Sequence, residues 1–218
     1  MDRGRGRFIT FEGGEGAGKS TQLRRLAARL EALGLAVVAT REPGGSPGAE
    51  QIRELLIHGE ADRWDRTTEA LLHSAARRDH LRCTVEPALA AGRWVLSDRF
   101  ADSTAAYQGY GHGMAPETLQ LLYGIAVGRL KPDLTLILDL PVEQGLERAA
   151  ARRGGGARYE ALDRAFHERV REGFLAIAGS EPERCAVLDA SGDAEAVERA
   201  VWRCVAERLA LPAVGGDS

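Results

Sequence analysis

Asparagine is absent from the 218 residues and lysine nearly so: of 29 Lys and Arg side chains only Lys19 and Lys131 are lysine. Lysine-specific chemistry therefore has two places to be. Cysteine is scarce too. Cys83, Cys185 and Cys204 are odd in number, widely spaced and free of any CxxC or His-rich pattern, which excludes a disulfide framework and predicts buried small hydrophobes in a reducing compartment. His80, His112 and His167 are too scattered for a metal site, and no Ser-His-Asp set is apparent. No apolar run approaches the roughly 18 residues of a membrane span. MDRGRGR leads into FITF without an apolar leader, so the expectation is a cytoplasmic chain with no membrane partner. A net charge of −3 gives no bulk attraction for nucleic acid, and no nucleic-acid partner is expected. No internal repeat is visible.

What is present reads as a folded α/β chain. At 44% hydrophobic the sequence can bury a core, and disorder, collagen and coiled coil are excluded as global classes. Short β-branched runs at 8–11, 35–39, 94–96, 134–138 and 186–188 predict five strands. Helical patterns lie between them, near 18–33, 48–58, 66–91, 116–128, 141–153, 160–178 and 193–209. Strand and helix alternating in this way predict a five-stranded, mostly parallel sheet with helices on both faces, in one domain spanning 1–218. Ligands of such sheets bind beyond the carboxyl ends of the strands.

Directly after the first strand, residues 13–21 read Gly13-Gly14-Glu15-Gly16-Ala17-Gly18-Lys19-Ser20-Thr21, which satisfies GxxxxGK[ST] and runs into the amphipathic TQLRRLAARLEAL. Both the string and its strand-to-helix context fit a phosphate loop of the P-loop NTPase type. Glycines let successive backbone N–H groups turn toward phosphate oxygens, and the helix points its positive end at the same anion. Lys19 supplies a mobile point charge for the β and γ phosphates of ATP, and Ser20 a ligand for Mg²⁺. A compact ammonium on a flexible stem suits a backbone cradle better than a guanidinium does. The motif names no reaction, because motors, switches and kinases share it.

The segment Trp94-Val-Leu-Ser-Asp98-Arg99-Phe100-Ala-Asp-Ser103-Thr104-Ala-Ala-Tyr107-Gln108 places an Asp-Arg pair at a strand end, before a helix start rich in polar groups. It resembles the signature segment of thymidylate kinases. FEGGEGAGKST, TREPGGS at 40–46, EALLHSAARRDH at 69–80, LKPDLTLILDL at 130–140 and AFHERVREGF at 165–174 are similar to that family's blocks, in its order and spacing. The resemblance implies phosphorylation of dTMP to dTDP by ATP with Mg²⁺, as a step of dTTP synthesis for DNA replication, in a homodimer. The apolar faces of the helices at 66–91 and 116–128 are candidates for the dimer interface.

Within that resemblance, Arg99 is suited to a bidentate grip on the acceptor phosphate, Asp98 to holding Mg²⁺, and Glu15 to the deoxyribose 3′-OH. The acceptor region falls partly within 40–80, where Glu42, Pro43, His73 and Arg77 join Ser103, Thr104, Tyr107 and Gln108 as the expected dTMP set. His73 and Arg77 are i, i+4 on one helix face; His73 is placed to stack on the base and Arg77 to donate to its O4. The family commonly has Phe where His73 stands. Thr104 and Gln108 are placed to read the base edge and Tyr107 to fill the space of a ribose 2′-OH. Glu12, just inside the first strand, is a site residue or a structural one.

A glycine-hinged basic segment at 148–160 carries Arg148, Arg152, Arg153 and Arg158 and reads as a lid over ATP. One subgroup of the family carries an arginine in the phosphate loop where this chain has Gly16, so the catalytic arginine is expected from Arg148, Arg152 or Arg158, as in the bacterial-type subgroup. The loop at 190–192 is an adenine neighbour by resemblance alone. Two other readings stay open: a kinase for another pyrimidine deoxynucleotide or deoxynucleoside, and an ATP-binding switch or interaction module.

Overall fold

The computed structural model describes residues 5–59, 63–151 and 162–211. The five expected strands all form: β1 (Phe8–Glu12), β2 (Val37–Arg41), β3 (Trp94–Asp98), β4 (Leu134–Asp139) and β5 (Cys185–Asp189). They pair in the order β2-β3-β1-β4-β5, and every pairing is parallel, Phe8 opposite Val95 and Ile9 opposite Leu134. The helices are α1 (Lys19–Ala32), α2 (Pro47–Ile57), α3 (Arg66–His80), α4 (Glu86–Ala90), α5 (Ala101–Thr104), α6 (Pro116–Ala126), α7 (Val142–Ala150), α8 (Arg164–Ser180) and α9 (Ala194–Arg208). The helix expected over 66–91 is α3 and α4 joined by a π-helical turn, Leu81–Val85. A second π-helical turn, Ala105–Gly111, continues α5.

Strand periodicity sorts the core onto two faces. Ile9, Phe11, Trp94, Leu96, Leu134, Leu136 and Leu138 face Leu23, Leu26 and Leu30 of α1 and Val197, Val201 and Val205 of α9. The alternate residues point the other way. Phe8 and Val95 pack on Leu81, Val85 and Phe100, and Ile137 packs on Phe166, Val170 and Phe174 of α8. That second face carries a polar seam in an otherwise apolar sheet: Thr10 and Thr135 share a hydrogen bond of 2.8 Å, and Glu12 and Ser97 are fully buried beside them. Asp102 and Arg184 close the seam with two hydrogen bonds of 2.8 Å each.

One sequence expectation changes here. Cys83 is exposed rather than buried, because Leu81 and Val85 take the inner side of the π-helical turn and leave Cys83 outside, with its Sγ 3.5 Å from Asp79 Oδ1. Lys131 has a partner beyond solvent, an ion pair of 2.8 Å with Glu181.

Candidate active site

The loop from Gly13 to Gly18 joins the end of β1 to the start of α1, at the carboxyl edge of the sheet. Gly16 adopts φ +70°, and a Cβ there would lie 2.0 Å from the Gly145 carbonyl oxygen, so both backbone shape and space require glycine. Gly18 starts α1 with no side-chain cap, and no acidic residue occupies the first turn, which leaves the positive helix end to an anion. Ala17 is buried beneath the loop, and the Thr21 N–H closes the first turn on Gly18 O at 3.0 Å. Lys19 curls inward, its Nζ donating to the carbonyls of Gly13 (3.1 Å) and Gly14 (2.7 Å). Burial, with the Arg99 charge nearby, pushes the ammonium down to about 8. Ser20 donates its hydroxyl to the Asp98 carboxylate, which places two hard oxygen ligands at the mouth of the loop.

Arg99 stands where β3 ends. Its backbone lies at φ +71°, a conformation that non-glycine residues adopt only under constraint. Three hydrogen bonds supply the constraint: Arg99 N–H to Phe11 O (2.9 Å), Ser97 Oγ–H to Arg99 O (2.8 Å) and Phe100 N–H to Glu12 Oε1 (2.7 Å). The turn aims the guanidinium back toward the phosphate loop, where Nη2 reaches Glu15 Oε1 at 2.8 Å and Nη1 reaches Gly13 O at 3.3 Å. Nη1 also donates to Ser103 Oγ (3.1 Å), and Ser103 donates to Glu12 Oε2 (2.6 Å). Tyr107 completes the cluster by donating to Glu15 Oε1 at 2.7 Å and accepting from Arg99 Nη2 at 3.1 Å.

The charges explain one another. Burial alone would raise Glu15, but Arg99, Lys19 and the Tyr107 hydroxyl outweigh it and hold the carboxyl at about 2. Burial alone would lower Arg99, and its anionic surroundings raise it instead. Glu12, fully buried with the Asp102 carboxylate behind it, is pushed up to about 8 despite its bonds to Ser103 and Phe100. The two readings of Glu12 converge: it is a buried structural group whose bonds fix the backbone and the side chain of the Arg99 segment.

A phosphate loop facing a strand-end arginine describes many phosphotransferases, and similarity to known proteins narrows the field. The thymidylate kinase family model matches residues 11–201, a span that includes both features. The chain belongs to the thymidylate kinase family. It is 58% identical over 206 residues to a thymidylate kinase of Caulobacter vibrioides, covering 94% of this chain and 99% of that one. It is 57% identical over 208 residues to one of Bradyrhizobium sp. (strain ORS 278), covering 94% and 92%. The crystal structure of thymidylate kinase from Ehrlichia chaffeensis superposes with a TM-score of 0.74 at 34% identity, covering 92% of this chain and 99% of that one. The chain is accordingly a nucleoside monophosphate kinase.

Beside Arg99 opens a cleft that brings together every residue of the expected acceptor set. Glu42, Pro43, His73, Arg77, Thr104 and Gln108 line it, with Glu15, Arg99, Ser103 and Tyr107 at its phosphate-loop end. Arg77 is buried and held from two sides: Nε donates to Glu42 Oε2 (2.7 Å), and Nη2 donates to Phe100 O (3.1 Å) and Thr104 Oγ1 (3.0 Å). The other Glu42 oxygen meets His80 Nδ1 at 3.0 Å, and His80 Nε2 meets Thr40 Oγ1 at 2.8 Å. Glu42 thus lines the cleft mainly as the group that fixes Arg77, and His80 belongs to that support.

Sequence reasoning missed four lining residues and a partner. Leu56 and Ile57 of α2 and Phe100 supply apolar wall, and Arg53 reaches in from α2 to donate to Pro43 O at 2.8 Å. Glu69, one turn before His73, is buried against Gln108. Arg41 pairs with Glu50 at 3.0 Å. On the donor side, Arg148 of α7 donates to the carbonyls of Ala190 and Ser191, both at 3.0 Å, and so ties α7 to the loop after β5. Arg152, Arg153 and Arg158, the other expected lid arginines, lie outside the described residues.

Proposed function

We propose that the chain transfers the γ-phosphoryl group of ATP to a phosphate oxygen of dTMP, giving dTDP and ADP, with the phosphate loop as donor site and the cleft beside Arg99 as acceptor site. One observation carries the assignment of sites: the Arg99 guanidinium bonds to the phosphate loop at Gly13 and Glu15 while lining the cleft with Ser103 and Tyr107. A cation so placed holds an acceptor phosphate against the donor phosphates, and phosphoryl transfer needs little beyond such positioning and charge neutralisation. Lys19 exchanges the carbonyls of Gly13 and Gly14 for phosphate oxygens when ATP binds. Glu15, kept ionised by Arg99, accepts from the deoxyribose 3′-OH, and Tyr107 occupies the space of a 2′-OH. No covalent enzyme intermediate is required.

The hard oxygens of Ser20 and Asp98, brought within hydrogen-bond reach of each other, fit a Mg²⁺ ion and would hold it. Bound there, the ion would supply positive charge to offset the negative charge developing on the phosphates during transfer. Arg148 supports the adenine side through the 190–191 carbonyls, and Arg152 and Arg158 are the lid candidates for transition-state charge. A homodimer is part of this reading, and the half-exposed Leu71 of α3 and the exposed Leu121 and Ile125 of α6 support a face for it there. A cytoplasmic enzyme is the reading that a role in dTTP synthesis supports. A coupled ADP-release panel with dTMP, dUMP, dCMP, dGMP and thymidine tests the reading. dTMP is expected to give the highest kcat/KM, and equal or faster turnover of a competitor overturns it.

A further inference from the structure

Gln108 and Glu69 are almost wholly buried, 2% and 5% exposed, and they touch through one hydrogen bond, Gln108 Nε2 to Glu69 Oε1 at 2.9 Å. A carboxylate oxygen accepts, so the end of the Gln108 amide that meets it is the NH₂ group. The amide is planar, and its oxygen therefore points away from Glu69. Gln108 lines the same cleft as Arg77 and Thr104, on the π-helical turn that also carries Tyr107. Arg77 is oriented by an analogous device, with Nε on Glu42 and Nη2 on Phe100 O and Thr104 Oγ1. The cleft thus presents a donor from Arg77 and an acceptor from Gln108, each fixed from behind by a buried carboxylate.

A 4-oxo pyrimidine carries an acceptor at O4 and a donor at N3–H, the complement of that pair. A 4-amino pyrimidine carries a donor at N4 and an acceptor at N3, opposed at both places. From this geometry we infer that Glu69 is a positioning residue for base discrimination: by holding the NH₂ end of Gln108, it leaves the amide oxygen as the acceptor that selects N3–H. The inference rests on the cleft being the nucleotide acceptor site. Glu69 itself does not line the cleft. With Glu69 replaced by glutamine, the new amide accepts from Gln108 or donates to it equally well, so the Gln108 amide flips at little cost and the acceptor is no longer enforced.

Steady-state kinetics of the full chain with dTMP and dCMP test this in four proteins: wild type, Glu69→Gln, Gln108→Leu and the double variant. In Glu69→Gln the ratio of kcat/KM for dTMP over dCMP is expected to fall about tenfold or more, carried by a higher KM for dTMP, with kcat within about threefold of wild type. Gln108→Leu is expected to lower the ratio as far, and the second substitution to add nothing to the first. A merely structural role lowers activity toward both nucleotides alike and leaves the ratio intact, and that result overturns the inference. Additive losses in the double variant overturn it as well, and this comparison holds even where Glu69→Gln lowers the melting temperature. A wild-type enzyme that uses dCMP as well as dTMP refutes the acceptor-site reading itself; a wild-type preference that survives Glu69→Gln refutes the positioning role alone.

Discussion

The phosphate loop and the acceptor cleft share a border at Arg99 but are built on opposite plans. The loop takes its polar groups from nine consecutive residues, Gly13 to Thr21, and most of them are backbone N–H and C=O groups. The cleft collects side chains from the segment after β2, α2, α3 and the segment after β3, and ties them, with Glu12 of β1 behind, in chains: His80 to Glu42 to Arg77 to Thr104, and Glu12 to Ser103 to Arg99 to Glu15. A backbone cradle is held by the fold, so its one buried cation, Lys19, is there for function. A buried side-chain chain is held by its own members, and removing one strands its neighbour.

The largest effect that divides the two plans is expected from Lys19→Met. Loss of the point charge at the transferring phosphates should lower turnover by about 10³-fold or more. Stability should move the other way. Burial lowers the Lys19 pKa from 10.5 to about 8, so the native state binds the proton less tightly than the unfolded chain does. The sign follows from linkage: the penalty is complete below about pH 8 and fades as pH rises toward the unfolded value of 10.5. Ligand-free Lys19→Met should therefore melt no lower than wild type at pH 7, and its advantage should shrink above pH 8. Differential scanning calorimetry across that range checks it, and a variant that is markedly less stable at pH 7 would show that the loop depends on Lys19 for structure.

Glu42→Ala should show the opposite signature. Arg77 and His80, both nine-tenths buried or more, lose the carboxylate between them. Breaking a buried pair by removing one member costs about 3–5 kcal/mol, to be read from urea unfolding. A loss below about 1 kcal/mol, the size of a surface pair, would mean that the cleft tolerates deletion as the loop does and that the contrast fails.

The same contrast explains what the sequence disclosed. A cradle made of consecutive residues leaves a string, and Gly16 and Lys19 are readable because their spacing is the mechanism. The sheet was equally open to reading, since Ile9, Phe11, Leu134, Leu136 and Leu138 alternate with residues of the other face. The cleft has no string of its own, and its members were recognised through family blocks at 40–46, 69–80 and 94–108. Arg53 and Glu69 escaped because a charged residue on an amphipathic helix looks the same whether it meets solvent or a buried partner. Cys83 misled because its neighbours are apolar in sequence while its own direction is set by a π-helical turn, which carries no composition signal.

Glu15 sharpens the border between the two plans, because its position in the string assigns it to the loop and its bonds assign it to the cleft. Both of its charge-assisted bonds, from Arg99 at 2.8 Å and Tyr107 at 2.7 Å, come from the segment after β3. Tyr107→Phe removes one of them and leaves the ring packed on Phe166 and Phe174. A hydrogen bond to a charged acceptor contributes about 1.5 kcal/mol or more, equivalent to a roughly tenfold or larger change in affinity. The acceptor should feel that change and the donor should not: KM for dTMP rises about tenfold or more, while KM for ATP stays within about twofold. Equal shifts in both constants, or a shift confined to ATP, would return Glu15 to the loop.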